Sequence, residues 1–467
     1  MVIFFQHDLS GCILPQSDEK GYIKYEKILF NIRNGRKALM ADSDTSPLPQ
    51  QGPRTKDSVM ASTLIGSHSI EHMYGHGFQV LLPAIYVAFG LAPIEAGLLG
   101  AVRQLSSGIT STVSGFFVDM VQHRRGQILA FSMALLGVGY LLVAISPSYV
   151  LILAALVFAS AGSALWHPPA LGLLAQRYPQ RRGLMISLHR SFGNIGDTLG
   201  PLIVGILLGG VVLWWMDGRV WVGISWRWIA GGMSPLMVVM AVGVLITLRH
   251  VGGDKPPSRD VRAKLSGQLA SMREAFSGGG MWAIFIVSAI RGMGDRTLVW
   301  ALPFYIGLGL DDGGLGRGPF WVGFHVALLT APGIIAGPIF GATSDKIGRK
   351  PLIAIIMAVG VVLSLGMGWG DGGIIMTLSV ALFGLFHFSV NSLTQAAAMD
   401  LVAGRQLEST FIGLLWGSNA AFGAIAALLA GVLVGVFGWD IAFYLAAGFF
   451  LVGFLVSLGL PGKSEHS

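Results

Sequence analysis

The chain of 467 residues has almost no cysteine and few charged side chains. Its single cysteine, Cys12, excludes an internal disulfide framework. Charged residues make up only 12% of the chain and hydrophobic residues 53%, whereas a soluble globular protein usually carries about 25% charged residues. This composition predicts a membrane protein.

Sequence signatures of common enzymes are also missing. The chain has no Gly-x4-Gly-Lys-Ser/Thr segment to hold the phosphates of ATP, and no Gly-x-Ser-x-Gly segment to place a nucleophilic serine. We therefore expect neither an enzymatic activity nor a cofactor.

Long apolar runs dominate what is present. A helix needs about 20 apolar residues to cross the roughly 30 Å hydrocarbon core of a bilayer. A window of that length finds twelve candidate spans: 60–89, 94–118, 126–146, 149–175, 183–210, 226–248, 281–309, 319–343, 351–370, 374–400, 409–436 and 440–460. Because twelve is even, both ends of the chain are expected on the same side of the membrane.

Lysine and arginine are distributed unequally between the two sides. The side that holds the termini carries 24 of the 31, and the opposite side carries three, Arg219, Arg227 and Arg317. The side richer in positive charge is normally cytoplasmic. We expect a multi-pass protein of the cell membrane, the inner membrane in a Gram-negative source, with both termini in the cytoplasm. The asymmetry accounts for the formal charge of +7, so no nucleic-acid partner is expected.

Polar segments divide the chain into parts. Residues 1–57 are expected to form a disordered cytoplasmic tail, and residues 461–467 a short cytoplasmic tail at the other end. Segment 249–280 is rich in Gly, Pro and basic residues, which is typical of a linker. It separates a six-helix bundle over 58–248 from a second six-helix bundle over 281–460.

The two predicted bundles repeat a loop sequence. "GFFVDMVQHRRG" (115–126) follows the second span, and "GATSDKIGRKP" (341–351) follows the eighth. In each copy a glycine is followed four residues later by an aspartate and then by basic residues. The same spacing at equivalent places predicts an internal repeat.

The second copy of this loop resembles the loop signature of the major facilitator superfamily, and the resemblance covers about residues 60–460. It implies the major facilitator fold, an all-α membrane protein with twelve transmembrane helices in two pseudo-symmetric six-helix bundles. It also implies alternating access, in which one bundle rocks against the other. Four residues of the two loops are expected to take part in gating: Asp119, Arg124, Asp345 and Arg349.

A narrower resemblance lies in three segments: "SHSIEHMYGHGFQVLLPAIY" (67–86), "GSALWHPPALGLLAQRYPQRRGLMISL" (162–188) and "FGNIGDTLGPLIVGILL" (192–208). They are similar to the fosmidomycin-resistance type of facilitator transporters, which implies efflux of small molecules in exchange for protons. That group carries His-x3-Asp in span one and His-Pro in span four. His68 and the His167–Pro168 pair match these positions. His72 stands where the group has its acid, and Glu71 precedes it.

Span one concentrates titratable groups. His68, His72 and His76 form an i, i+4 stripe on one helix face, and Glu71 borders that stripe. The stripe begins roughly ten residues into the span, about 15 Å deep at 1.5 Å per residue. An ionised glutamate at that depth costs several kcal/mol unless it has a partner. We interpret these four residues as a proton-coupling site. A hydrogen-bonded seam that never titrates is the alternative.

A metal site is a further interpretation of the same stretch. Three imidazoles beside a carboxylate can ligate a divalent ion. However, histidines at i, i+4 and i+8 rarely direct all three rings to one ion, so the sequence predicts no metal site.

Charged residues inside other spans indicate where a substrate binds. Arg103 lies at a depth similar to that of Glu71 and is expected to pair with it, while Arg291 and Asp295 have the i, i+4 spacing of an ion pair. Arginines near the centre of a cavity favour an anionic substrate. We predict that Arg103, Arg291 and Asp295 bind substrate, and purely structural ion pairs are the alternative.

Spans four, five and ten add further polar positions. Arg190 and Asp197 share one face of span five and are predicted to form a gate, with a static ion pair as the alternative. The Gly200–Pro201 element resembles the span-five motif of facilitator antiporters, which favours export. Four polar residues of spans four and ten are predicted to line the substrate cavity: His167, His387, Asn391 and Gln395.

The function predicted from these residues is secondary active transport. Our leading hypothesis is a monomeric antiporter that exports a small polar or anionic molecule in exchange for protons. The alternative is a proton-coupled importer of a small organic or inorganic anion. A membrane receptor that transports nothing is a third hypothesis, from a different class of protein.

Overall fold

The computed structural model describes residues 55–117, 122–213, 219–221, 223–249, 251, 279–402 and 408–460, with scattered positions between 266 and 277. The two predicted tails lie outside the described residues, apart from 55–57, which belong to the first helix. Most of the predicted linker also lies outside them.

Helices make up nearly all of the described chain. The helices before the predicted linker are α1 (Thr55–Phe89), α2 (Pro93–Phe117), α3 (Arg125–Ile145), α4 (Tyr149–Arg177), α5 (Arg182–Gly209) and α6 (Trp226–Leu248). Those after it are α7 (Gly279–Gly307), α8 (Pro319–Leu328), α9 (Gly333–Ile347), α10 (Arg349–Trp369), α11 (Ile374–Val402), α12 (Glu408–Phe437) and α13 (Ile441–Ser457). Between α5 and α6, the short strands β1 (Val211–Leu213) and β2 (Arg219–Trp221) pair antiparallel.

The helix ends lie within five residues of the predicted span ends. Seven helical stretches of the described residues are long and apolar enough to cross a membrane. The other helices carry more polar residues, as α1 does, or are shorter, as α13 is. The all-α fold is confirmed, and the number of membrane crossings stays a prediction.

The predicted eighth span is two helices rather than one. α8 ends at Leu328 and α9 begins at Gly333, after Pro332. Proline has no backbone N–H to continue a helix ladder, which explains a break at this position. At the break, the Thr330 hydroxyl lies 3.1 Å from the Thr198 hydroxyl of α5. The predicted span 319–343 is thus interrupted by a turn, although its stretch Pro319–Ala336 is one of the seven apolar enough to cross a membrane.

Glycines set the distance between α1 and α5. A Cβ atom at Gly196 would collide with the backbone of Ser69, and one at Gly200 would collide with the backbone of Met73. Only residues without a side chain permit so close an approach of two helices. The contact places one face of α5 directly against the polar stripe of α1.

Two glycine contacts join helices that precede the predicted linker to helices that follow it. Gly97 of α2 lies against Gly431 of α12, and Gly323 of α8 lies against Gly205 of α5. Gly97 follows Pro93 by four residues, and Gly323 follows Pro319 by four residues. In each contact, a Cβ atom added to one glycine would lie 3.2 Å from the Cα atom of the other. The two contacts are thus equivalent under the internal repeat.

The glycine contact between α2 and α12 generates a prediction about stability. We expect Gly431→Ala to lower the melting midpoint of the detergent-purified protein, because the new Cβ would lie 2.8 Å from the Pro93 carbonyl oxygen. Overpacking of this kind typically costs about 1–3 kcal/mol. Gly435→Ala, one turn away on the same helix, is the control because nothing lies within 4 Å of its added Cβ. Equal midpoints for the two variants would contradict the prediction.

Candidate functional site

A cavity of about 270 Å³ lies among α1, α2, α3, α4, α5, α7 and α12. Its walls are unusually polar for the interior of an apolar chain. The charged residues that line it are Glu71, Arg103, Arg190, Asp197, Arg291, Asp295 and Arg296. The histidines that line it are His72, His76 and His167.

Glu71 lies on one wall of the cavity, surrounded by polar side chains. Its side chain is almost wholly buried and accepts a hydrogen bond from the Ser163 hydroxyl of α4. Its Oε2 atom lies 3.6 Å from His68 Nδ1 and 3.5 Å from His72 Nε2. A carboxylate held in this way can share a proton with the imidazoles on its own helix.

Asp197 of α5 is the second carboxylate of this wall, and it is fully buried. Its Oδ1 atom lies 2.7 Å from His72 Nδ1 and 3.2 Å from His76 Nε2. The other ring nitrogen of His72, Nε2, lies 3.4 Å from His167 Nε2 of α4. His72 therefore stands between the two carboxylates and connects three helices. The four residues predicted as a proton site are brought together, and α4 and α5 supply further members.

Two members of this cluster were missed by the sequence reasoning. Ser163 binds Glu71, and the ring of His189 stacks on His68 with centroids 3.7 Å apart. Ser163 precedes His167 by four residues and so shares its helix face, which is a signal that could have identified it. His189 is adjacent to Arg190 in the sequence, and nothing in that spacing indicates contact with α1.

Arg103 does not pair with Glu71 as expected. Its Nη2 atom donates a hydrogen bond to the Gly75 carbonyl oxygen at 3.3 Å, and its guanidinium lies 5.2 Å from the centroid of the Phe78 ring. Gly75 is four residues past Glu71, about one helical turn along α1. Arg103 thus reaches α1 one turn away from the carboxylate, although both residues line the same cavity.

The wall formed by α5 and α7 is rich in arginine. Arg291 and Asp295 form the ion pair predicted from their spacing, and both are buried. Arg190 of α5 lines the same cavity as Asp197 and Arg291. Arg296, half-buried on α7, also lines the cavity and was not predicted as a site residue.

Most residues of the predicted gating loops and of the polar stripe of span ten cannot be assigned to the cavity, because they are not described. Asp119 and the side chains of Asp345, His387 and Asn391 lie outside the described residues. Gln395 is half-buried on α11 and is not among the described residues that line the cavity.

The basic residues of the two loops lie at the starts of α3 and α10. Arg124 is exposed at the start of α3. Arg349, at the start of α10, donates a hydrogen bond to Ser344 of α9. Their gating role stays a prediction.

Comparison with known sequences assigns the fold to a family. The sequence profile of the Major Facilitator Superfamily matches residues 67–418, about three quarters of the chain. The chain belongs to the major facilitator superfamily. As a family member with transporter relatives, it is a secondary transporter in a membrane and not an enzyme. The family resemblance read from the loop motif is confirmed.

Two relatives of this facilitator are similar in sequence. YfnC, an uncharacterized MFS-type transporter of Bacillus subtilis (strain 168), is 23% identical over 393 residues, 79% of this chain and 85% of YfnC. The fosmidomycin resistance protein of Escherichia coli (strain K12) is 27% identical over 161 residues, 33% of this chain and 39% of that protein. The second match is thus partial.

Solved facilitator structures share the fold at low sequence identity. A bacterial homolog of the human lysosomal transporter Spinster, in an inward-facing and occupied conformation, superposes with a TM-score of 0.69. It is 14% identical, and the match covers 87% of this chain and 97% of that one. A mutant of the nucleoside transporter NupG superposes with a TM-score of 0.67 at 14% identity, over 86% of this chain and 99% of that one.

The ion pair in the facilitator cavity generates a prediction about coupling. We expect Asp295→Asn or Arg291→Gln alone to lower the melting midpoint in detergent more than the double variant does. Each single change leaves a buried charge without its ion-pair partner, which typically costs about 3–5 kcal/mol, whereas the double variant removes both charges. A double variant whose loss equals the sum of the single losses would show that the two residues contribute independently.

Proposed function

We propose that this facilitator exports a small polar or anionic molecule in exchange for protons. The observation that carries the proposal is that one cavity holds a buried carboxylate–histidine cluster and four arginines. The cluster supplies groups that gain and lose protons, and the arginines supply the attraction for negative charge. Transport requires that both sets of groups respond to the same change between access states.

The proton-coupling half of the proposal concerns Glu71 and His72. An ionised carboxylate in a membrane interior is stable only beside a partner, and Glu71 has two imidazoles within 3.6 Å. Because His72 also contacts Asp197, a proton gained by this cluster changes the charge at the contact between α1 and α5. Protonation would therefore change the stability of an access state in which that contact is buried, relative to one in which it is exposed to water.

The substrate half of the proposal concerns the arginines that line the cavity. Arg190 of α5 and Arg291 of α7 both belong to this lining. An anion bound beside them would form charge-assisted hydrogen bonds with their guanidinium groups. Arg296 adds a further, half-buried positive charge, and its buried Nε atom has no hydrogen-bond partner among the described residues.

A contact between the two halves of the chain supports coupling. The ring of His167 lies 5.4 Å from the ring of Trp416, measured between centroids, and Trp416 belongs to α12. His167 also contacts His72, so the cluster reaches a helix on the far side of the predicted linker. If the α12 side moves against the α4 side, the surroundings of His167 must change.

Export is favoured over import by sequence similarity. The Gly200–Pro201 element of α5 resembles the antiporter motif, and the partial relative in Escherichia coli is a fosmidomycin resistance protein. The alternative function, proton-coupled import of a small anion, uses the same arginines. It is favoured by their number, since four line the cavity.

Proton flux in liposomes tests the proposal directly. We expect candidate anions and phosphonate antibiotics to drive proton movement through wild-type protein, measured with a pH-sensitive dye. Glu71→Gln should reduce this movement at least tenfold, because the amide cannot carry the proton. Glu95→Gln is the matched control, since Glu95 lies at the start of α2 outside the cavity and binds the Ala92 amide at 2.8 Å.

Three other results would count against the proposal or its assignment to Glu71. Substrate movement without a proton signal in both wild type and Glu71→Gln would remove proton coupling. An equal loss in Glu71→Gln and Glu95→Gln would show that the effect is general damage. Inward accumulation of substrate in the direction of the proton gradient would favour the importer.

The proposal places the protein in the cell membrane as a monomer, with both termini in the cytoplasm. The single cysteine, Cys12, reports on the N-terminal side. We expect a membrane-impermeant maleimide to label Cys12 only after intact cells are permeabilised. In a Cys12→Ser background, Asp311→Cys should be labelled without permeabilisation, because Asp311 is exposed in a connection predicted to face outward. Labelling of Cys12 in intact cells would reverse the assigned orientation.

A further inference from the structure

Four side chains of the cavity wall bring one potential ligand atom each to within 4.8 Å of one another: His68, Glu71, His72 and His167. We call this group the tetrad. We propose that the tetrad binds one divalent transition-metal ion of the Zn²⁺ class. Imidazole nitrogens and a carboxylate oxygen are ligands that such ions accept in proteins.

Three of the six distances between ligand atoms of the tetrad are close to those of a tetrahedral site. Glu71 Oε2 lies 3.6 Å from His68 Nδ1 and 3.5 Å from His72 Nε2, and His72 Nε2 lies 3.4 Å from His167 Nε2. Bonds of about 2.0–2.1 Å in tetrahedral geometry place neighbouring ligand atoms about 3.4 Å apart. The three contacts are thus too long for strong hydrogen bonds but close to the edges of a zinc tetrahedron.

Two atoms of the tetrad are buried polar atoms that lack a hydrogen bond. His68 Nδ1 and Glu71 Oε2 have no hydrogen-bond partner among the described residues, although their side chains are almost wholly buried. Buried polar atoms are normally hydrogen-bonded, so an exception calls for a physical reason. Both atoms belong to the set that converges, and a bound cation would satisfy both at once.

Three other polar atoms of the tetrad are bound by neighbouring groups, as the ligands of a metal usually are. His72 Nδ1 lies 2.7 Å from Asp197 Oδ1, so Nε2 is the ring nitrogen of His72 that can bind the ion. His167 Nδ1 lies 3.1 Å from the Ser163 carbonyl oxygen, which leaves its Nε2 atom in the same way. The Ser163 hydroxyl binds the other oxygen of Glu71. These contacts fix the ring orientations and tautomers that metal binding requires.

The structure also removes the objection that the sequence raised to a metal site. The i, i+4, i+8 run does not have to direct three rings to one point, because His76 turns to Asp197 instead. His167 of α4 takes its place beside His68 and His72. The fourth ligand therefore comes from a helix that the sequence of α1 cannot reveal.

The local charges fit a divalent cation. Glu71 belongs to the tetrad and Asp197 contacts His72, so two carboxylates supply negative charge beside the ion. Because protons bind to the same atoms, a metal ion and protons compete for the tetrad. Metal binding at equilibrium can therefore be measured without any transport.

Zinc binding to the full-length protein in detergent tests the inference. The protein is purified with a tag that lacks histidine and titrated with Zn²⁺ against a fluorescent chelator. We expect one Zn²⁺ per chain, with X-ray absorption reporting four nitrogen or oxygen ligands at about 2.0–2.1 Å. A large excess of Mg²⁺ should not compete, because Mg²⁺ prefers octahedral oxygen ligands.

Three variants assign the ion to the tetrad. His167→Gln removes a ligand and should weaken zinc binding roughly 100-fold or more, while Asp197→Asn removes only the support of His72 and should weaken it about 10–100-fold. His325→Gln is the matched control. That histidine is buried on α8, where its ring nitrogens lie 2.8 Å from the Trp321 carbonyl oxygen and 3.1 Å from the Thr377 hydroxyl. Its loss should leave zinc affinity unchanged.

The outcomes separate this inference from the proposed function. Absence of stoichiometric zinc binding, or binding that survives in both His167→Gln and Asp197→Asn, would overturn the tetrad, whatever the proton-flux experiment shows. If His167→Gln does not run as a single species on gel filtration, Asp197→Asn carries the comparison. Zinc accumulation in liposomes would show that the ion is transported, and binding without flux would show that it stays bound. Either outcome requires that the tetrad binds zinc.

Discussion

An ionised side chain inside a bilayer is stable only where it meets a partner instead of lipid, and the cavity of this facilitator follows from that constraint. Acidic and basic residues of α1, α2, α5 and α7 line the same 270 Å³ space. On one wall Glu71 and Asp197 meet imidazoles; on another, Arg291 meets Asp295. The rest of the helix surfaces are then free to be apolar, which explains a chain with only 12% charged residues.

Close helix packing is what allows these partners to meet. The 2.7 Å contact between His72 and Asp197 joins α1 to α5, and it lies between Gly196 and Gly200, which touch the backbone of α1. A larger residue at either glycine would separate the helices and lengthen that contact. Gly196 and Gly200 therefore set the distances within the charge cluster by allowing the helices to approach closely.

The sequence predicted what lies within one helix better than what lies between helices. Helix positions, the i, i+4 pair Arg291–Asp295 and the stripe from His68 to His76 all follow from local spacing, and the structure contains them. The pairing of His72 with Asp197 and the absence of an Arg103–Glu71 pair do not follow from it. A periodic pattern defines which residues share a face, but the rotation and height of one helix against another depend on packing of the whole bundle. The break at Pro332 was overlooked because the window measured hydropathy alone.

The sign of the coupling between proton and substrate distinguishes exchange from cotransport. A proton or metal ion at the tetrad adds positive charge to a cavity that already holds four arginines. An anion bound only by those arginines would bind more tightly when that charge is present, and linkage is reciprocal, so anion and proton would move together. Exchange requires the opposite, that the substrate competes with protons for Glu71 or Asp197. An exported molecule must therefore offer these carboxylates a hydrogen-bond donor or a positive group, in addition to whatever negative charge the arginines bind.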